Sequence, residues 1–125
     1  RLKKLDEIID KRRQNAQSYL EYIEKEKVFI PREKEYEFNT YHTFVIQVEK
    51  RNELKEFLLK QGIEAAIHYP TPIHLQPAAK RLGYKLGDFP VTEKQAGIIL
   101  TLPVNQSLGQ SEIERICVAI NEYYS

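Results

Sequence analysis

Tyr41-His42-Thr43-Phe44-Val45-Ile46-Gln47-Val48-Glu49 alternates: His42, Phe44, Ile46 and Val48 share one side, while Tyr41, Thr43, Gln47 and Glu49 take the other. A period of two is the pattern of a strand with one buried face. A helix follows, with Asn52 as its N-cap, Leu54, Phe57 and Leu58 facing inward, and Gly62 as its stop. Residues 63–69 read as the next strand. Strand, helix and strand joined by short connections predict a βαβ unit, its two strands parallel and linked by a right-handed crossover.

Toward the N-terminus, Leu2, Leu5, Ile9, Ala16, Tyr19 and Ile23, widened by Ile8 and Leu20, recur at helical spacing. The spacing predicts a long connecting helix of roughly six or seven turns over residues 1–27, with one buried seam. Arg12 interrupts the seam, marking either a solvent gap or a charge that meets a partner outside this segment. Pro31 and the run Arg32-Glu33-Lys34-Glu35 end the region in a loop or short edge strand.

Toward the C-terminus, short helices are expected near residues 77–82 and 90–97, the second capped by Asp88. Residues 98–102, Ile-Ile-Leu-Thr-Leu, are apolar on both faces and read as an interior strand closed by Pro103. Ile113, Ile116, Cys117 and Ile120 then mark a last helix, capped by Gly109 with Glu112 or by Ser111 with Glu114. The fold class is α/β, of α+β-like form: a small mixed three-stranded sheet packed with helices and led by a long N-terminal helix. Residues 1–125 form one domain. A first helix too long for such a sheet to cover, the absence of methionine and an opening already inside a helical pattern together suggest a piece of a longer chain.

A chain of 125 residues, 42% hydrophobic and 30% charged, can bury roughly two-thirds of its unfolded surface, enough for one core. A formal net charge of +1 argues against nucleic acid as the main partner, since phosphate binding needs a concentrated basic excess. No apolar run approaches the roughly 20 residues that span a bilayer, so no membrane partner is expected. Cys117, the single cysteine, forms no internal disulfide, and a reducing cytoplasm is the expected compartment.

The chemistry is expected in residues 68–93, a connection long for a small domain and rich in proline, yet carrying two histidines, tyrosine and glutamine. There is no Gly-x-Gly-x-x-Gly and no Walker lysine loop. His68 and His74 lack the spacing that presents two imidazoles from one helix, and no cysteine or carboxylate pair completes a metal-ligand set. Cys117 sits on the apolar face of the last helix, as a small core residue does. Tyr69 and His68 sit at a strand end, and Pro70 and Pro72 stiffen the chain, so His74 and Gln76 are presented with little freedom, as a polar ligand site requires. The alternative is that His74 and Gln76 satisfy buried backbone groups of the loop. Asp88 reads mainly as a cap, and His42 as a packed, hydrogen-bonded histidine.

Several stretches taken together carry a resemblance: residues 41–46, Gly62-Ile63, His68-Tyr69-Pro70-x-Pro72-Ile73-His74-Leu75-Gln76-Pro77, Leu82-Gly83-Tyr84, Gly87-Asp88-Phe89-Pro90-Val91-x-Glu93 and Leu102-Pro103. In this order, over essentially the whole chain, they resemble the C-terminal part of the DegT/StrS family, pyridoxal-phosphate-dependent sugar-nucleotide aminotransferases of fold type I. The resemblance implies a two-part subunit: a large domain that holds pyridoxal 5'-phosphate through a lysine, and a small C-terminal domain that this chain matches. It implies amino transfer from glutamate to a nucleotide-linked keto-sugar, serving surface-polysaccharide, glycan or antibiotic sugar biosynthesis, in a cytoplasmic homodimer. By this carry-over Tyr69, His74 and Gln76 are expected to contact substrate, with no catalytic, cofactor-binding or metal residue in the segment and no activity for it alone. Gln47 stands where arginine is common in the family, Thr101 where serine usually precedes Leu-Pro, and Gln106 where proline is frequent. Members that have lost the lysine act as sugar dehydratases or regulators, and a non-catalytic ligand-binding or dimerisation and lid module is the further alternative.

Overall fold

A computed structural model describes residues 2–125. Arg1, included in the expected first helix, lies outside them. The elements are α1 (Leu5–Tyr22), β1 (Val28–Phe29), β2 (Phe44–Val48), α2 (Arg51–Lys60), α3 (Pro90–Ile98), β3 (Ile99–Leu102) and α4 (Gln110–Tyr124), with short 3-10 turns at Leu2–Lys4, Ile73–Leu75 and Pro77–Leu82.

β2 is the middle strand, with β1 and β3 on either side. Phe44, Ile46 and Val48 point inward as their alternation requires, and register places Phe44 opposite Leu102 and Ile46 opposite Leu100. All five join one buried cluster with Ala16, Tyr19 and Ile23 from the first helix and its exit, Leu54 and Leu58 of α2, and Ile113, Ile116, Cys117 and Ile120 of α4. Helices on one sheet make the two-layer, three-stranded architecture expected from the sequence. Tyr19 stacks on Phe44 with ring centroids 4.7 Å apart, and its hydroxyl donates to the Pro103 carbonyl at 2.7 Å, so the largest buried polar side chain is satisfied. Cys117 is sealed in this core, and burial pushes its thiol up to about 12.

The pairing corrects the expected βαβ unit, because every pair in the sheet is antiparallel. Residues 63–69 form no strand; Ala66 alone bridges Thr101, also antiparallel. Since β2 and the Ala66 segment each run opposite to β3, they run in the same direction, but β3 lies between them. β3 is four residues long and ends at Pro103, which cannot donate to a ladder, and Tyr69 turns into left-handed backbone at φ 59°, so the pairing stops after one bridge.

Other differences are local. α1 has 18 residues, about five turns, because Ile23 drops to extended backbone to bury its side chain, and residues 25–27 turn into β1. Leu2 and Leu5 are exposed. Arg12 does not open onto a solvent gap: it donates to the carbonyls of Tyr41 and His42 at 3.2 and 3.0 Å and to Gln106 Oε1 at 3.3 Å. β2 begins only at Phe44, because Tyr41 has φ 47°, and His42 is exposed instead of packed. Lys50, not Asn52, precedes α2 as its N-cap. Asp88 accepts from the Lys85 N–H and does not cap α3. The α2 stop is as expected: Gly62 at φ 74° lets its own N–H reach the Leu59 carbonyl and the Ile63 N–H reach that of Leu58. Gly109 and Glu112 close the start of α4.

Arg13 forks onto both Glu33 oxygens at 2.8 Å and donates to the Asn39 carbonyl, tying the irregular segment before β2 to α1. That fork, with the Asn39 N–H, holds the Glu33 carboxyl at about 2, below its ordinary 4.5. A depressed folded value means the stabilisation is fully present above 4.5 and disappears as pH falls through about 2. Glu33→Gln should therefore lower the melting temperature at neutral pH, and the gap from wild type should close over that window; a gap independent of pH contradicts the ion pair. In the core, Ile46→Ala should cost about 2–5 kcal/mol in chemical denaturation, while exposed Val118→Ala stays within about 0.5 kcal/mol.

Candidate functional site

The chain leaves the sheet at Ala66, whose N–H and carbonyl exchange bonds of 2.9 and 2.8 Å with Thr101. Two residues on, His68 Nδ1 lies 2.8 Å from the Thr101 hydroxyl, anchoring the foot of the loop to β3. Tyr69 follows in left-handed backbone with its side chain 79% exposed. An aromatic residue held at positive φ costs on the order of 1 kcal/mol or more and gains little here from packing beyond a tilted approach to the His68 ring at 6.3 Å, a combination typical of functional positions.

Pro70 and Pro72 then direct the chain into the turn Ile73–Leu75, which throws Ile73 outward and His74 inward. Gln76 donates to the Thr71 carbonyl at 3.3 Å, closing a short ring of chain. Tyr69, Pro70, Thr71, Gln76 and Pro77 line an open hollow of about 360 Å³. Two of the three expected contact residues, Tyr69 and Gln76, thus meet at one hollow. His74 does not line it; it lies 8% exposed with its Nε2 2.9 Å from Glu93 Oε1 and its ring against Phe89 at 4.8 Å.

Glu93 is the residue that sequence reasoning gave no role. Its Oε1 accepts from His74, from the Gly87 N–H at 2.9 Å and from the Phe89 N–H at 3.3 Å, and its Oε2 accepts from Gly87 at 3.0 Å. Burial pushes the Glu93 carboxyl up, but the Gly87, His74 and Phe89 donors outweigh it and hold it below its ordinary value. Gly87 fits here because φ 97° is closed to most side chains. Two signals stood in the sequence: Glu93 closes the Gly-Asp-Phe-Pro-Val-x-Glu stretch of the resemblance, and it lies four residues after Phe89, placed to reach back over the first turn of α3. Arg51 fixes the far end of that helix, donating to the Ala96 and Ile99 carbonyls at 2.9 and 3.0 Å.

A larger hollow of about 630 Å³ lies elsewhere, lined by Leu20, Val28, Ile30 and Ile98 together with Lys25 and Arg32. Of the residues singled out from the sequence, Gln47, which stands where arginine is common in the family, lines it, but Tyr69, His74 and Gln76 do not, and size alone does not assign a site. The chain's lysines are all exposed or partly exposed, none enclosed as an imine-forming lysine must be, so these residues do not fit the role of holding pyridoxal phosphate covalently. Among the described residues no helix is long and apolar enough to cross a membrane.

A helix-covered antiparallel sheet that extends a stiffened polar rim beyond its edge defines a small α+β domain. Residues 1–121 match the DegT/DnrJ/EryC1/StrS aminotransferase family, and the chain belongs to it. It is 36% identical over 123 residues to a pleiotropic regulatory protein of Geobacillus stearothermophilus, covering 96% of this chain and 33% of that protein. It is 31% identical over 123 residues to dTDP-3-amino-3,6-dideoxy-alpha-D-galactopyranose transaminase of Aneurinibacillus thermoaerophilus, covering 98% and 33%. Its fold matches that of S. venezuelae DesV, solved in complex with a ketimine intermediate, with TM-score 0.93 and 29% identity over 98% of this chain and 33% of that one. The chain spans about a third of the length of these relatives.

Because Tyr69 is exposed and at positive φ, Tyr69→Gly should leave the unfolding free energy unchanged or raise it by up to about 1 kcal/mol. A loss of several kcal/mol in urea titration would show instead that the side chain supports the fold.

Proposed function

We propose that this chain is the small C-terminal domain, residues 1–125, of a two-domain subunit that transfers the amino group of glutamate to a nucleotide-linked keto-sugar. The single observation that carries the reading is the rim of residues 68–93, on which Tyr69 and Gln76 meet at one open hollow within a family of sugar aminotransferases. The activity in the name of the A. thermoaerophilus relative supports a deoxysugar nucleotide as the substrate class. The cofactor would be pyridoxal phosphate held by a lysine of the large domain, supplying an electron sink for proton removal at carbon.

The work of this chain is binding and orientation. The Tyr69 hydroxyl and the Gln76 amide would hold hydroxyl or phosphate oxygens of the sugar nucleotide, and His74 a further hydroxyl from the inner side of the rim. Ile73, Leu82, Leu86 and Val91 are all more than half exposed along the same segment, which supports its lying against another surface, the large domain or the second subunit of a cytoplasmic homodimer. A rim pressed between such surfaces would exclude water from the reacting atoms.

The test is to incubate the whole subunit with glutamate and a panel of keto-sugar nucleotides. Aminated sugar should form, and Tyr69→Phe and Gln76→Ala should each raise KM about 5- to 100-fold, equivalent to roughly 1–3 kcal/mol for one hydrogen bond, with cofactor absorbance unchanged. Lost absorbance with unaltered KM would refute the assigned roles. Of the other readings, regulator and dehydratase, the name of the G. stearothermophilus relative supports the regulator. An imine absorption band abolished by substituting one lysine of the large domain separates transfer from these, and its absence would favour them.

A further inference from the structure

The Glu93 carboxylate does more than close a loop, because it also decides which imidazole nitrogen of His74 is left for a ligand. An ionised carboxylate only accepts hydrogen bonds, so the His74 Nε2 that sits 2.9 Å from Glu93 Oε1 must carry the proton. A neutral ring with Nε2–H leaves Nδ1 as a bare acceptor. That Nδ1 has no protein partner among the described residues, and no fully buried side-chain polar atom is left unpaired there, so Nδ1 is not completely sealed and remains free to take a ligand. The same carboxylate grips Gly87 and Phe89, and Phe89 packs on the His74 ring, so tautomer and ring position are set together.

We infer that Glu93 is a positioning residue for the sugar-nucleotide site: it locks His74 as the Nε2–H tautomer and so presents Nδ1 to accept a hydrogen bond from a substrate hydroxyl. This rests on the proposed function for the identity of the ligand, while the tautomer itself does not. The ligand group that fits is a donor, which a sugar hydroxyl is and a phosphate oxygen is not. Glu93 touches neither substrate nor reacting atoms and acts through His74. The reach from Glu93 back to His74 spans 19 residues, so only the folded loop creates the arrangement.

The tautomer is read directly from imidazole nitrogen shifts of the whole subunit labelled with 15N-histidine, the His74 signals being assigned by their loss in His74→Asn. Wild type should show protonated Nε2 and bare Nδ1 without substrate; a protonated Nδ1 in wild type overturns the inference with no variant needed. Glu93→Ala should release the preference and raise KM for the keto-sugar nucleotide on the order of ten-fold or more, with kcat and cofactor absorbance held. Glu93→Gln, whose amide oxygen keeps the Oε1 partners, should restore both the nitrogen shifts and most of the KM. A tautomer that changes in Glu93→Ala with KM unmoved, or a loss confined to thermal stability, also overturns it. If wild type binds no keto-sugar nucleotide, the functional reading fails, and the nitrogen shifts still decide the Glu93–His74 part separately.

Discussion

Burial of one face of β2 is the constraint on which the rest of the structure depends. Phe44, Ile46 and Val48 place three side chains in the core from β2, the middle strand of the sheet, and register carries the same face onto Leu100 and Leu102. A slip of one residue would turn that face to water. The stack of Tyr19 on Phe44, with Tyr19 also bonded to Pro103, fixes α1 to β2 and to the exit of β3 at once. Asn15 extends the same seam by donating to the Asn105 carbonyl, so polar residues buried on α1 are locks between segments.

From that frame the functional rim is suspended at two points of β3. Its foot is the Ala66–Thr101 bridge and the His68–Thr101 contact, and its return is α3, which runs directly into Ile99 with Arg51 holding the junction. Between them lie residues with little packing of their own, exposed at Tyr69, Ile73, Leu82 and Leu86. One carboxylate, Glu93, draws the middle of this segment together. Under the proposed function this surface would be completed by the rest of the subunit, and ordering in advance would lower the entropic cost of taking hold of a flexible sugar nucleotide.

Much of this was legible in the sequence, and the exceptions are instructive. Alternation revealed β2, the apolar run revealed β3, and helical periodicity revealed α1 and α4, because each buries one continuous face. The parallel pair was misread because strand, helix and strand in order says nothing of a later strand inserting between the two. Val28–Phe29 is too short to show a period. Asn52 and Asp88 have the chemistry of caps but sit two positions and one position, respectively, from where the backbone turns. Arg12 looked like a break in a seam, yet its guanidinium serves two carbonyls of the chain around Tyr41, a pairing 30 residues distant that no local pattern encodes. In the site, Tyr69 and Gln76 were visible as polar groups among prolines. Glu93 was not, since its meaning comes from His74, Gly87 and Phe89 arriving together. Of the positions that depart from the family pattern, Thr101 and Gln106 are both engaged, with His68 and Arg12 respectively.

The most direct measurement is hydrogen exchange of the whole subunit with and without a nucleotide-linked keto-sugar. The account predicts that added protection within this domain centres on residues 69–77, around Tyr69 and Gln76. Protection appearing instead over Val28 and Ile30, with residues 69–77 exchanging as before, would contradict it.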